Sequence, residues 1–175
     1  MRAQHTNQRV GIFVDVQNLF YSARNLYDAK IDFGKLLESA VRDRLLIRAI
    51  AYLVHKEGVD QSGFEEALRR FGYEIKIKDL KERDDGSAKG DWDMGIAIDS
   101  ISIAPRLDAV ILISGDGDFV PLVEMLQARG CRVEVLAFER STASELKEAA
   151  DLYTPIEESL LLKDRNRKNS NRAAY

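Results

Sequence analysis

Residues 108–119 read D-A-V-I-L-I-S-G-D-G-D-F, and no other stretch narrows the possible folds so far. The unbroken apolar run of residues 109–113 offers no polar face to water, so it fits a strand buried on both sides. Strands of that kind belong to parallel sheets covered by helices on both faces. The run stops abruptly at Ser114-Gly115-Asp116-Gly117-Asp118. Residues 10–18, V-G-I-F-V-D-V-Q-N, repeat the arrangement, with an apolar strand ending in Asp15. Open α/β sheets bind ligands just beyond the carboxyl ends of their strands. Two acid-tipped strands meeting there suggest a metal site.

The remaining periodicities fit such a sheet. The pattern predicts strands over 9–16, 47–55, 73–77, 109–113, 131–138 and 152–156. Helices are predicted from residue 18 onward and over 32–44, 63–71, 93–103, 119–129 and 142–150, with a last helical turn in 157–162. Asp32 is a natural N-cap, and Gly72 and Gly130 are helix terminators. Ser141 or Thr142 is expected to cap the helix at 142, with Glu145 completing a capping box. Residues 78–89, K-D-L-K-E-R-D-D-G-S-A-K, have almost nothing to bury and read as a mobile loop. The alternation of strand and helix points to one doubly wound, mainly parallel sheet of five or six strands. If the first strand is central, chain growth reverses beside it and opens a crevice flanked by Asp15 and Asp116.

One domain over 9–162 fits a chain of 175 residues, with a flexible stretch at 1–8 and a disordered basic tail at 163–175. A net charge of −3 excludes a protein that holds polyanions by bulk charge, so nucleic-acid contact needs a local basic patch or bridging metal ions. The single cysteine, Cys131, excludes an intramolecular disulfide and reads as a core residue. No apolar run approaches a membrane span, and the first residues lack the apolar core of a signal peptide, so a cytoplasmic protein without membrane contact is expected. His5 and His55 read as unpaired surface or turn histidines. Neither a G-x-x-x-x-G-K-[ST] loop nor a complete G-x-G-x-x-G fingerprint occurs.

Each acid has an ordinary explanation beside the functional one. Asp15 is a strand-end turn acid or a ligand, and Asn18 is a helix N-cap that can also orient a metal-bound water or a phosphate. Asp118 would cap the next helix, yet two carboxylates two residues apart repel unless a cation or proton lies between them. Gly115 and Gly117 let a ligand approach the backbone. Ser114 is either a ligand beside the metal or a turn hydroxyl. In K-G-D-W-D (89–93) a helix N-terminus accounts for one of Asp91 and Asp93 but not for both. Asp99 falls on another helical face and is the weaker candidate. Trp92 reads as a packing residue rather than a base-stacking platform.

Three motifs occur in one order: F-V-D-V-Q-N at 13–18, K-G-D-W-D-M-G-I-A-I-D at 89–99 and I-S-G-D-G-D-F at 113–119. In this order they resemble the NYN domain family of PIN-like nucleases, and within it the bacterial LabA-like branch, over residues 9–156. The resemblance implies a PIN-like Rossmannoid three-layer fold and a metal-dependent ribonuclease site built from acids. By motif, Asp15, Asn18, Asp93, Asp116 and Asp118 match the family's site positions. One inserted residue leaves the choice between Asp91 and Asp93 open, and the spacing to Asp99 favours Asp93. The implied cofactor is one or two Mg²⁺ or Mn²⁺ ions, which take oxygen ligands, held by Asp15, Asp93, Asp116 and Asp118. Lys76, Lys78, Lys81, Arg83 and Lys89 are candidates to steer a nucleic acid, RNA before DNA. A homodimer and regulatory protein partners stay open.

The rival reading is a catalytically weak RNA-binding or regulatory module on the same fold. A haloacid-dehalogenase type phosphatase fails because strand one gives D-V-Q and lacks its second aspartate. A receiver domain fails because its acid pair follows strand one and its phosphoacceptor follows strand three.

Overall fold

The computed structural model describes residues 6–55, 58–82, 88–89 and 91–162, with backbone only at 81–82 and 88–89. The strands are β1 (Arg9–Asp15), β2 (Lys30–Ile31), β3 (Leu45–His55), β4 (Glu74–Asp79), β5 (Lys81–Glu82), β6 (Ala88–Lys89), β7 (Ala109–Ile113), β8 (Arg132–Ala137), β9 (Leu152–Pro155) and β10 (Leu161–Leu162). The helices are α1 (Val16–Tyr27), α2 (Phe33–Val41), α3 (Ser62–Phe71), α4 (Asp93–Ile103), α5 (Val120–Ala128) and α6 (Ser144–Ala149).

Six strands form one sheet in the order β4-β3-β1-β7-β8-β9, and every pairing is parallel. The two acid-tipped strands lie side by side at its centre, with Val10 opposite Ala109 and Val14 opposite Ile113. Their side chains alternate between two cores. Val10, Ile12, Val14, Ile111 and Ile113 face α1, α2 and α3 through Leu19, Leu36 and Leu68. Phe13, Val110 and Leu112 face α4, α5 and α6 through Ile96, Val123 and Leu146. This is the expected three-layer sandwich, and each fully buried aliphatic or aromatic side chain adds about 1.5–3 kcal/mol of transfer free energy. Gly11 interrupts the apolar run of β1 because a Cβ there would sit 2.5 Å from the Leu107 side chain.

From β1 the chain builds outward through β3 to β4, then returns along α4 to place β7 on the other side of β1. That reversal opens the crevice at the carboxyl ends of β1 and β7. Among the described residues no helix is long and apolar enough to cross a membrane.

Several boundaries differ from the periodicity. Asp15, not Asn18, caps α1, accepting the Asn18 N–H at 3.1 Å. Helix α6 starts at Ser144 with no side-chain cap; the Thr142 hydroxyl instead donates to the Phe138 carbonyl at 2.6 Å. The residues predicted as a last helical turn make a short 3-10 turn, Glu158–Leu160, and then β10, antiparallel to β2. Within the stretch expected to be a mobile loop, residues 78–79 belong to β4 and β5 pairs antiparallel with β6, while residues 83–87 fall outside the described residues. Two-residue strands carry no periodicity from which a pattern can be read. Asp32 caps α2 as expected, and Gly72 ends α3 at φ 106°. His55, at the end of β3, is not unpaired: its ring nitrogen lies 2.6 Å from Glu65 on α3. His5, residues 1–5 and the tail at 163–175 fall outside the described residues.

Candidate metal centre

Asp15 ends β1 with both carboxylate oxygens engaged. Oδ1 accepts from the Asn18 backbone, and Oδ2 accepts the Ser114 hydroxyl at 3.2 Å. Burial pushes its pKa up; those two hydrogen bonds pull it back, and the charges of Asp116 and Asp91 raise it again. The Asn18 side chain crosses the crevice, its Oδ1 accepting the Gly115 N–H at 3.0 Å. The first turn of α1 thus anchors the loop after β7 twice.

That loop winds tightly. Ser114 is fully buried, and its hydroxyl oxygen also receives the Asp116 N–H at 3.3 Å. Asp116, not Asp118, is the capping acid, accepting the Asp118 N–H at 3.0 Å. Close approach of backbone requires the glycine at 115, while at 117 the nearest neighbour is a movable side chain. A Cβ on Gly115 would lie 2.7 Å from the Ser141 carbonyl oxygen, and one on Gly117 would lie 2.8 Å from Glu145 Oε1. Glu145 is therefore a further carboxylate at the loop's edge. Its sequence signal was ambiguous, since an acid three residues after a serine or threonine also reads as a capping box.

Asp93 opens α4 on the other wall. One carboxylate oxygen from each of Asp93, Asp116 and Asp118 lies within 4.8 Å of the other two. Asp93 has its pKa pushed up to about 6, first by burial and then by the charges of Asp116, Asp15, Asp91 and Asp118. Two unit charges at such a separation repel by roughly 3 kcal/mol at an effective dielectric near 20. The three donors are all hard oxygens, the set that suits Mg²⁺ or Mn²⁺. Asp15 stands outside this group of three and acts on it through its charge and through Ser114.

The other candidates have other occupations. Asp91 is exposed and outside the group; its carbonyl accepts from Lys78 Nζ at 3.1 Å. Asp99 accepts from Lys76 Nζ at 2.7 Å and from the Tyr52 hydroxyl at 2.8 Å, which accounts for both its oxygens. Lys78 lies 4.2 Å above the Trp92 ring. Trp92 is the packing residue expected: its Nε1 donates to the Leu53 carbonyl at 2.7 Å and its ring meets Tyr52 at 5.2 Å. Gly95 makes room for it, since a Cβ there would lie 2.5 Å from the indole. The side chains of Lys81, Arg83 and Lys89 fall outside the described residues.

A model of the NYN domain matches residues 9–157. The Low amplitude and bright protein LabA of Synechococcus elongatus is 32% identical over 158 residues, covering 85% of this chain and 83% of that protein. The protein MJ0482 of Methanocaldococcus jannaschii is 25% identical over 92% of this chain, which spans 60% of that longer relative. The crystal structure of VPA0982, a protein of unknown function from Vibrio parahaemolyticus, superposes with a TM-score of 0.84 at 39% identity. That likeness covers 91% of this chain and 99% of the other.

Proposed function

The chain belongs to the NYN domain family, and from that premise we propose that it is a metal-dependent ribonuclease hydrolysing phosphodiester bonds in RNA. The observation that carries the reading is the convergence of Asp93, Asp116 and Asp118, from two separate segments, on a space with sides under 4.8 Å. A binding surface for polyanions gains nothing from gathered carboxylates, which repel phosphate unless a cation is held between them.

In this reading Asp93, Asp116 and Asp118 hold Mg²⁺ or Mn²⁺. The ion, when bound, lowers the pKa of an attacking water and neutralises charge on the leaving oxygen. Asp15 adds negative potential and fixes the loop through the Ser114 hydroxyl. Asn18 keeps Gly115, and with it Asp116, in register with β1. The buried side chains beneath the loop, Phe13, Leu112 and Phe119, keep this geometry dry from below.

The test is cleavage of labelled RNA in Mn²⁺ by the wild type and by Asp116→Asn. The substitution keeps the side-chain shape and removes one negative charge, and it is expected to lower the rate by about a hundredfold or more, the scale of losing one preorganised charge in a catalytic site. Equal cleavage by both proteins overturns the site. Absence of cleavage by either, with RNA binding retained, favours the binding or regulatory module instead.

A further inference from the structure

Helix α4, which opens on Asp93, has no face whose apolar content marks it as the inner one. Ile96 is fully buried, yet Met94 and Ile98 are 70% and 56% exposed, and Ala97, Ile101 and Ile103 are half-buried. A helix that is apolar all round packs almost as well in one rotation as in another. Its serines add no preference, because Ser100 donates to the Ile96 and Ala97 carbonyls and Ser102 to the Ile98 carbonyl, all within the helix. Trp92 pins the start of the helix at one point, with its Nε1 on the Leu53 carbonyl. One point leaves the turn about the helix axis to be settled elsewhere.

Asp99 supplies the second point. It is the one charged residue of α4 besides Asp93. Tyr52 on β3 and Lys76 on β4 are register partners, so their side chains rise side by side from one face of the sheet. Asp99 bridges them, accepting the Tyr52 hydroxyl at 2.8 Å and Lys76 Nζ at 2.7 and 2.9 Å on its two oxygens. At about 3.6 residues per turn, Asp99 lies roughly 120° round the helix from Asp93. Seating Asp99 over β3 and β4 therefore turns Asp93 toward Asp116 and Asp118. A lone polar residue on an otherwise apolar helix costs packing energy, and its best-attested use is to fix register.

We propose that Asp99, held by Tyr52 and Lys76, is the positioning residue that sets the rotation of α4 and so aims Asp93 into the metal centre. The proposal rests on the metal reading of Asp93, Asp116 and Asp118, and it gives Asp99 no contact with the ion or the substrate. Lys76, a candidate to steer nucleic acid, is in this account a structural counter-charge.

Two measurements test it on a protein in which the polar triad is replaced by apolar residues of similar shape, Tyr52→Phe, Lys76→Met and Asp99→Leu together. Exchanging all partners of such a set for apolar groups is close to neutral for folding, so the melting temperature is expected to stay near that of the wild type. Mn²⁺ affinity, read from the spin-resonance signal of the free ion, is expected to fall about tenfold to a hundredfold, the scale on which outer supports of metal ligands act. The charge exchange Lys76→Asp with Asp99→Lys, which rebuilds the pair, is expected to recover most of that loss. Asp99→Asn alone, a milder change, is expected to weaken binding by a smaller factor.

The second readout needs no metal. Ile96 and Cys131 are buried in the same core, so in an Ile96→Cys protein the native thiol reports opening of the whole fold, and the ratio of the two labelling rates reports α4 alone. Replacing the triad is expected to raise that ratio about tenfold or more, and the charge exchange to bring it back. An unchanged ratio overturns the proposal, as does Mn²⁺ binding equal to that of the wild type. Losses that the charge exchange does not restore overturn it too. A wild type that binds no Mn²⁺ while the ratio rises refutes the metal reading and leaves Asp99 as the residue that sets the helix; Mn²⁺ binding with an unchanged ratio does the reverse.

Discussion

At the scale of single residues, the chemistry turns on several carboxylates gathered in one place. Asp93 shows the strain most directly, with a pKa near 6 in the folded chain against an ordinary 3.8. The folded state favours its proton, so its stabilising contribution is complete below pH about 4 and is lost as pH rises through about 6. Metal-free protein is expected to melt at a higher temperature at pH 5 than at pH 7 on this account. Asp93→Asn is expected to flatten that dependence and to raise the pH 7 melting temperature by a few degrees, or about 1 kcal/mol once solvent screening at this part-exposed site is allowed for. Adding Mn²⁺ at pH 7 is expected to raise the melting temperature of the wild type and to leave that of Asp93→Asn nearly unchanged. Thermal melts in chelator and in Mn²⁺ across this pH range check both outcomes. Asp116 and Asp118 stood out in the sequence because two carboxylates two residues apart repel unless a cation or proton lies between them. The division of labour among the acids was not legible there. Whether Asp15 or Asn18 caps α1, and whether Asp116 or Asp118 caps the next turn, depends on backbone angles that residue type alone leaves undetermined.

Elements were readable where their period was long and their burial uniform. β1 and β7 announced themselves through apolar runs, and α2 through its Asp32 cap. The clasp of β2 with β10 and the pairing of β5 with β6 were invisible, because two residues show no alternation and their pairing is decided by what lies across from them. The loop between β7 and α5 shows the other kind of hidden information. Gly115 looked like an opening for a ligand, and the structure gives it a second purpose, since the Ser141 carbonyl would lie 2.7 Å from any added Cβ. Gly115→Ala is therefore expected to destabilise the protein by about 1–3 kcal/mol, the cost of overpacking against a backbone that cannot step aside. It is also expected to lower cleavage more than folding, because the displaced segment carries Asp116 and Asp118. Comparing melting temperature with turnover in the same variant checks this.

Across the whole molecule, contacts distant in sequence close the structure at the end of the sheet opposite the acids. Arg44, in the turn before β3, reaches Glu134 on β8 at 3.0 Å with both side chains almost fully buried. The Ala40 and Val41 carbonyls hold the same guanidinium. Removing one partner of such a pair strands the other, so Glu134→Ala is expected to cost about 3 kcal/mol and to lower the melting temperature by roughly 6–12 °C. The C-terminal clasp is a separate whole-chain tie: Leu161 is buried against Ile31, and the Asp32 N–H donates to the Leu160 carbonyl at 2.8 Å. It lies past residue 157, where the family match ends. A chain stopped at 157 is expected to fold with reduced stability, by about 2 kcal/mol for the lost burial, which denaturant titration measures.

The insertion of β7 beside β1 has a consequence in time as well as in space. A chain leaving the ribosome exposes Asp15 and Asn18 roughly a hundred codons before their partners at 114–118. Until that late strand slides in next to the earliest one, the crevice has a single wall, and on the nuclease reading a fragment ending before residue 114 is expected to leave RNA uncut.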